Sequence, residues 1–144
     1  MTSLSGRIED GVHHLPLRVY YEDTDAAGLV YYANYLKSAE RARTEMIRLL
    51  GLGDIGAGAA FAVRRCTVDY LRPARLDDEI EVCTWVRAVR GASADLEQVV
   101  RGRGGDLVRL DVRVAVVTPA GRPTRLPREL RAALELFVQS QTRA

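Results

Sequence analysis

The sequence predicts an α+β fold in which an antiparallel sheet packs on one long helix. Three observations predict it. Residues from Leu15 alternate between apolar and polar, the stretch from Tyr32 to Leu50 repeats at spacings of three and four, and from residue 61 the alternation returns and runs on to Thr118. A strand, a long helix and then several strands joined by short turns place the helix on one face of an antiparallel sheet. The chain has 144 residues, 47% of them apolar, which fills one ordinary core but not two. Residues 1–144 are therefore read as one domain, with 1–12, polar and glycine-containing, as a loose leading segment.

The first strand shows Leu15, Leu17, Val19 and Tyr21 alternating with Pro16, Arg18 and Tyr20. Pro16 cannot donate to a ladder, which suggests an edge or a strand start. An acidic loop follows, Glu22-Asp23-Thr24-Asp25-Ala26-Ala27-Gly28, closed by a glycine free to take a tight turn. In the helix Tyr32, Tyr35, Leu36, Ala39, Ala42, Met46, Leu49 and Leu50 form the apolar stripe. Its outer face carries Lys37, Glu40, Arg41, Thr44, Glu45 and Arg48; Arg41 and Glu45 sit four apart, where side chains meet. Gly51 suits the left-handed position that ends a helix, and Gly53 to Ala60 reads as a connection.

The remaining strands run from Phe61 to Leu71, with Cys66, Val68 and Tyr70 on one face, and from Glu79 to Arg87, with Ile80, Val82, Thr84 and Val86 opposed to Glu81, Cys83, Trp85 and Arg87. Both are expected to be half-buried. A weaker strand spans Ala94 to Arg101, Gly102 to Asp106 makes a hairpin connection, and Leu107 to Thr118 alternates most clearly. Pro127, followed by Leu130, Leu134 and Phe137, signals a C-terminal helix with proline in its first turn. So wide a sheet is covered only in part by one helix, and an edge-to-edge or face-to-face dimer is expected.

Lys+Arg 21 against Asp+Glu 19 leaves a net charge of +2, without the basic excess of a phosphate-tracking nucleic-acid binder. No nucleic-acid partner is expected. Lys37 is the single lysine; the arginine bias reflects either a G- and C-rich coding sequence or guanidinium groups that meet phosphate. Cys66, Cys83, His13 and His14 match no zinc spacing, so no metal is expected and the cysteines are read as small core hydrophobes. No apolar leader and no stretch of about 18 apolar residues is present, so a cytoplasmic protein with reduced thiols and no membrane span is expected.

Chemistry concentrates between Tyr20 and Tyr35. Asp23 and Asp25 precede a glycine turn and a long helix, whose start exposes unpaired N–H groups and a partial positive charge. Such donors can hold a polarised carbonyl oxygen while a carboxylate attacks the carbon or activates water. The ordinary alternative is that either aspartate only caps the helix or the turn. Spacing leaves both open.

The string Tyr21-Glu22-Asp23-Thr24-Asp25-Ala26-Ala27-Gly28-Leu29-Val30-Tyr31-Tyr32-Ala33-Asn34-Tyr35, with Glu40 to Met46 after it, resembles the signature of the hotdog-fold acyl-CoA thioesterases. Within these it is most similar to the 4-hydroxybenzoyl-CoA thioesterase group and its Tol-Pal-associated, YbgC-like branch. Supporting fragments are Val68 to Ala74, Asp77-Asp78, Arg90 to Ser93, Gly121 to Pro123 and Leu126-Pro127. The resemblance implies a five- to six-stranded antiparallel sheet wrapped around the helix, in a homodimer or homotetramer with active sites between subunits. It implies Asp25 as the catalytic carboxylate, nucleophile or general base, and the Tyr32 backbone N–H as the group that polarises the carbonyl. Gly28 then lets the turn approach the substrate, and Arg87, Arg90 and Ser93 take the positions that meet coenzyme A phosphates.

Many YbgC-like members carry histidine where Tyr32 stands, so no mechanism through that imidazole is carried over. A second style of catalysis on the fold uses a helical glutamate; the candidates Glu40 and Glu45 are read as solvated charges. The expected function is hydrolysis of an acyl-CoA thioester to free acid and coenzyme A without a metal or organic cofactor, the thioester arriving on coenzyme A or on acyl carrier protein. The alternative from another class is a non-catalytic acyl-CoA or acyl-carrier-protein binding module. A hydratase or dehydratase ranks last, because neither His13 nor His14 falls in a matching motif.

Overall fold

The computed structural model describes residues 4–52 and 58–142. The elements in order are β1 (Arg7–Glu9), β2 (Val12–Arg18), a short 3₁₀ turn (Tyr21–Asp23), α1 (Tyr32–Leu49), β3 (Ala60–Tyr70), β4 (Glu79–Val89), β5 (Ser93–Gly102), β6 (Gly105–Val117) and α2 (Arg128–Thr142). The six strands form one sheet in the order β1-β2-β4-β5-β6-β3, every pair antiparallel. The α+β expectation and the six-stranded count both hold. The expected connection from Gly53 to Ala60 lies largely outside the described residues.

The N-terminal segment departs from expectation. Residues 7–9 are not loose but pair with β2 through Arg7 opposite His14, Ile8 opposite His13 and Glu9 opposite Val12. Asp10 and Gly11 turn the hairpin, both at positive φ (53° and 75°). That is the type I′ geometry an Asp-Gly pair favours, and its twist matches the strands on either side.

One face of the sheet carries the core. Ile80, Val82, Thr84 and Val86 of β4, Ala94, Leu96, Gln98 and Val100 of β5, and Val108, Leu110, Val112, Val114 and Val116 of β6 are buried, as the alternation dictates. α1 lays Tyr35, Ala39, Ala42 and Met46 on this face, and the two alanines, wholly buried, let the helix backbone come close. The Tyr35 hydroxyl accepts the Ala74 N–H at 2.9 Å, tying the helix to the chain before β4. α2 covers part of what α1 leaves: Leu130, Leu134 and Phe137 are buried, and Leu134 lines the same cleft as Met46, Leu96 and Val114. Full burial of a leucine of this kind contributes about 1.5–3 kcal/mol.

Buried polar groups here differ in how they are satisfied: His13 bonds the Ser5 carbonyl through Nε2 at 2.8 Å while its Nδ1 has no partner among the described residues, and Gln98 is bonded throughout. Gln98, fully buried, donates from Nε2 to the Ala39 carbonyl and to Thr84 Oγ1, both at 3.0 Å, and accepts from Arg43 Nη1 at 2.9 Å. One amide thus joins the middle of α1 to two strands.

Other side-chain expectations need correction. β3 is not half-buried: it is an edge strand paired only with β6, and most of its residues, Cys66 included, are exposed. Cys83 is buried as expected, but on the face turned away from the helices. Glu45 does not pair with Arg41. Its carboxylate accepts from Ser5 Oγ at 2.7 Å and pairs with Arg48, and its side chain is only 12% exposed, so it fastens the N-terminal segment instead of sitting in solvent. Glu40 is exposed as expected.

Candidate functional site

The acidic loop between β2 and α1 is a folded unit. Asp25 N–H donates to the Leu29 carbonyl at 2.8 Å, Gly28 N–H to the Asp25 carbonyl at 3.1 Å, and Thr24 bridges to Val30. Gly28 has φ +79°, a conformation that L side chains rarely adopt, and nothing lies within 4 Å of where a Cβ would stand. Glycine is needed there for the backbone, and the space beside it is open.

Asp25 lies on the exposed side of this loop. Its Oδ1 accepts the N–H groups of Ala27 at 2.8 Å and Leu29 at 3.2 Å. That is the local turn role the sequence left open, and it uses one oxygen. Oδ2 takes no hydrogen bond from the described residues. Asp23 behaves otherwise: its Oδ2 accepts the Tyr20 N–H, and its carbonyl accepts both the Tyr31 N–H at 2.9 Å and Asn34 Nδ2 at 2.8 Å. Asp23 therefore shapes the loop and binds it to the first turn of the helix.

The start of α1 is left open by its own side chains. Tyr31, at the cap position, makes no side-chain bond to the first amides. The Tyr31 and Asn34 N–H groups are taken by the Asp23 and Tyr31 carbonyls, which leaves Tyr32 at the open, partly positive end of the helix. Tyr31, Tyr32 and Tyr70 form a half-exposed aromatic group, Tyr31 and Tyr32 with ring centroids 4.7 Å apart and Tyr70 edge-on to Tyr32 at 6.3 Å. The Tyr31 hydroxyl stays protonated beyond the ordinary tyrosine range, held by its hydrogen bond to Tyr32. Tyr35 is core and packs beneath this group, its ring centroid 5.9 Å from that of Tyr70. The nearby cleft of about 300 Å³ is lined by Asp23, Asn34, Lys37 and Arg41, not by Asp25.

Arg87, Arg90 and Ser93 lie at the other end of the sheet. At a rise of about 3.3 Å per residue, Arg87 stands roughly 25 Å along β4 from Glu79, beside which the acidic loop is anchored by the Val19 N–H to Asp78 carbonyl bond. Within the chain these residues therefore stand apart from the acidic loop that carries Asp25. Arg87 pairs with Glu97 and lies over the Trp85 ring at 5.3 Å, and Arg90 pairs with Asp95 Oδ2 at 2.7 Å. Hydrogen bonds from Arg113 and then Arg90 hold the Asp95 carboxyl below the usual aspartate range. Ser93 is buried, with its carbonyl accepting the Arg90 N–H at 2.7 Å, so its place is in the turn.

The sequence reading missed Asn34. Its only signal was a polar residue in the first helical turn behind an acidic loop. It missed the Arg43–Gln98–Thr84 bridge because no local pattern links residues on three elements.

A family model described as Thioesterase superfamily matches residues 27–109, starting just after Asp25. The chain is 43% identical over 120 residues to the acyl-CoA thioester hydrolase YbgC of Escherichia coli O6:H1, spanning 80% of this chain and 90% of that protein. It is 40% identical over 129 residues to the acyl-CoA thioesterase YbgC of Haemophilus influenzae, spanning 86% and 95%. A probable thioesterase from Bartonella henselae superposes with a TM-score of 0.77 at 33% identity, covering 81% of this chain and 99% of that one. The chain belongs to the Thioesterase superfamily, and its antiparallel sheet with the long helix laid across it is the hotdog fold of that family.

Proposed function

We propose that the protein hydrolyses an acyl-CoA thioester to a free carboxylic acid and coenzyme A, with Asp25 as nucleophile or general base. One observation carries this reading: Asp25 is exposed, its orientation fixed through Oδ1 while Oδ2 takes no hydrogen bond from the described residues, in a loop that leads directly into a helix N-terminus without a side-chain cap. The thioester carbonyl oxygen would accept the Tyr32 N–H, which favours the negative charge that develops as the carbon is attacked. Either Oδ2 attacks that carbon, the C–S bond breaks to release the coenzyme A thiolate, and water then cleaves the acyl–Asp25 anhydride to free acid and carboxylate; or Oδ2 takes a proton from a water that attacks, and the thiolate leaves carrying a proton from the medium. The activated ester needs no electron transfer. The open face of Gly28 gives the thioester room to reach both groups.

The position of Arg87 roughly 25 Å along β4 from Glu79, at the far end from the acidic loop, supports a site completed by a second copy, with Arg87 and Arg90 of the partner meeting the phosphates. β3 supports the same pairing, as an edge strand of eleven residues with Phe61 and Val63 exposed on it. The names of the YbgC relatives, an acyl-CoA thioester hydrolase and an acyl-CoA thioesterase, favour catalysis over a binding module. His13 bonds the Ser5 carbonyl and His14 bonds Glu81, both away from the acidic loop, which disfavours a hydratase.

Purified protein presented with a panel of acyl-CoA and acyl-carrier-protein thioesters tests the reading. Release of free thiol, scaling with enzyme, supports hydrolysis, and its profile across the panel names the acyl group and the carrier. Ligand-induced thermal stabilisation with no thiol release would make the protein a binding module instead.

A further inference from the structure

The face of the sheet turned away from both helices holds a cluster that the proposed hydrolysis does not use. His14 on β2 stands directly opposite Cys83 on β4, and Glu81, two residues earlier on β4, projects from the same face. His14 Nδ1 lies 2.8 Å from Glu81 Oε1 and 3.5 Å from Cys83 Sγ, and Sγ lies 3.4 Å from the same Glu81 oxygen. Cys83 is fully buried, whereas the His14 and Glu81 side chains are 16% and 32% exposed, so an ion could enter from solvent. The three donor atoms all lie within 4.8 Å of one another.

We propose that His14 Nδ1, Glu81 Oε1 and Cys83 Sγ bind one zinc ion, with water in the fourth position, and that the ion fastens the N-terminal hairpin to the sheet. Ligand type favours zinc, a borderline ion that accepts thiolate, imidazole and carboxylate together. Distances favour it as well. Tetrahedral ligation with Zn–N and Zn–O of about 2.0–2.1 Å and Zn–S of about 2.3 Å requires S···N and S···O separations near 3.5 Å and N···O near 3.3 Å. The first two are already present. The third requires His14 and Glu81 to part by about 0.5 Å, replacing their hydrogen bond by two metal bonds.

Charge balances at such a site. Without metal, burial first and the Glu81 hydrogen bond second push the Cys83 thiol up to about 11. Zinc displaces that proton to solvent and takes the thiolate. Imidazole binds through the Nδ1 lone pair, its proton on Nε2. Thiolate and carboxylate together then cancel the charge of the ion. Two cations face the cluster: Arg7 Nη1 is 3.7 Å from Glu81 Oε2, the oxygen left outside the site, and Arg101 Nη1 donates to the ligand sulfur, Cys83 Sγ, at 3.8 Å. Donors of this kind hold metal ligands in position. Arg7 sits opposite His14 on β1, so the assembly spans β1, β2, β4 and β5.

The test uses whole protein stripped of metal by chelation. Cobalt(II), a spectroscopic substitute for zinc, is expected to bind at one equivalent per chain with a thiolate-to-cobalt charge-transfer band, and zinc to raise Tm by several degrees. Cys83→Ser abolishes the band, and His14→Gln and Glu81→Gln each weaken binding more than tenfold, while Cys66→Ser changes neither. His14 and Glu81 are partly exposed, so their variants keep the test decisive if Cys83→Ser does not fold. Absence of the band and of the Tm shift would overturn the proposal, as would a band lost in Cys66→Ser or kept in both Cys83→Ser and His14→Gln.

Discussion

Replacing Gln98 by leucine tests how α1 is held over the sheet. The side chains are similar in volume, so little cavity forms and the cost lies in polar groups. Three hydrogen bonds disappear, from Nε2 to the Ala39 carbonyl and Thr84 Oγ1 and from Arg43 Nη1 to Oε1. The Ala39 carbonyl keeps its bond within the helix. Thr84, fully buried, and Arg43 lose partners, each worth about 1–3 kcal/mol when left unsatisfied, and more for a charge. Burial already lowers the Arg43 pKa from its usual value, but Arg43 also lines a cleft of about 420 Å³ through which it can regain water. The sum is about 3 kcal/mol. With a urea m-value near 2 kcal/mol/M, the unfolding midpoint followed by circular dichroism falls by about 1.5 M. Gln98→Glu should also fall, because it keeps the Arg43 bond but sets a buried carboxylate oxygen against the Ala39 carbonyl. The double variant Arg43→Met/Gln98→Leu should be at least about 1 kcal/mol more stable than the two single losses sum to, since removing both partners strands neither. A Gln98→Leu loss below about 0.5 kcal/mol, or strict additivity, would refute the reasoning.

Three further outcomes follow from the same physical account. Gly28→Ala forces a side chain into φ +79° with no contact to offset it, so stability falls by about 1–2 kcal/mol and thioester turnover falls more steeply than Tm; an unchanged turnover would separate this turn from the site. Alkylation of native protein near pH 8 should modify exposed Cys66 well before Cys83, whose burial and thiol near 11 protect it until denaturant is added; equal rates would contradict that burial. Burial holds His13 below its usual value, so the unfolded chain takes a proton near pH 6.5 while the native one resists. The stability is therefore present above that pH and lost as pH falls toward the folded value, and His13→Gln should flatten the fall of the urea midpoint between about pH 7.5 and 5.5; parallel curves would argue against it.

The helix and the inner strand faces were legible because burial on one side imposes a period, as in Ile80, Val82, Thr84 and Val86. β3 misled because its alternation describes a strand without saying that it lies at an edge, where Val68 packs on the core but most of its other residues stay exposed. β1 was missed although Asp10-Gly11 is a strong hairpin signal; its three residues, all exposed, carry no apolar pattern. The turn that holds Asp25 and Gly28 and the helix start at Tyr32 were legible as local structure through a contiguous motif. The grouping of His14, Glu81 and Cys83 was not, since two of the three meet the other only through strand register. For the same reason the separation of Arg87 from the acidic loop could not be read from spacing.

Single-turnover thiol release by wild type and Asp25→Asn, on an acyl-CoA that the panel identifies as a substrate, tests the central claim most directly. Asparagine preserves the Oδ1 bonds to Ala27 and Leu29, so the loop remains folded while the nucleophile or base is lost. The account predicts an unchanged Tm and a rate lower by about 10²–10⁴. A variant that folds and turns over at the wild-type rate would remove Asp25 from the chemistry and leave it as a turn residue alone.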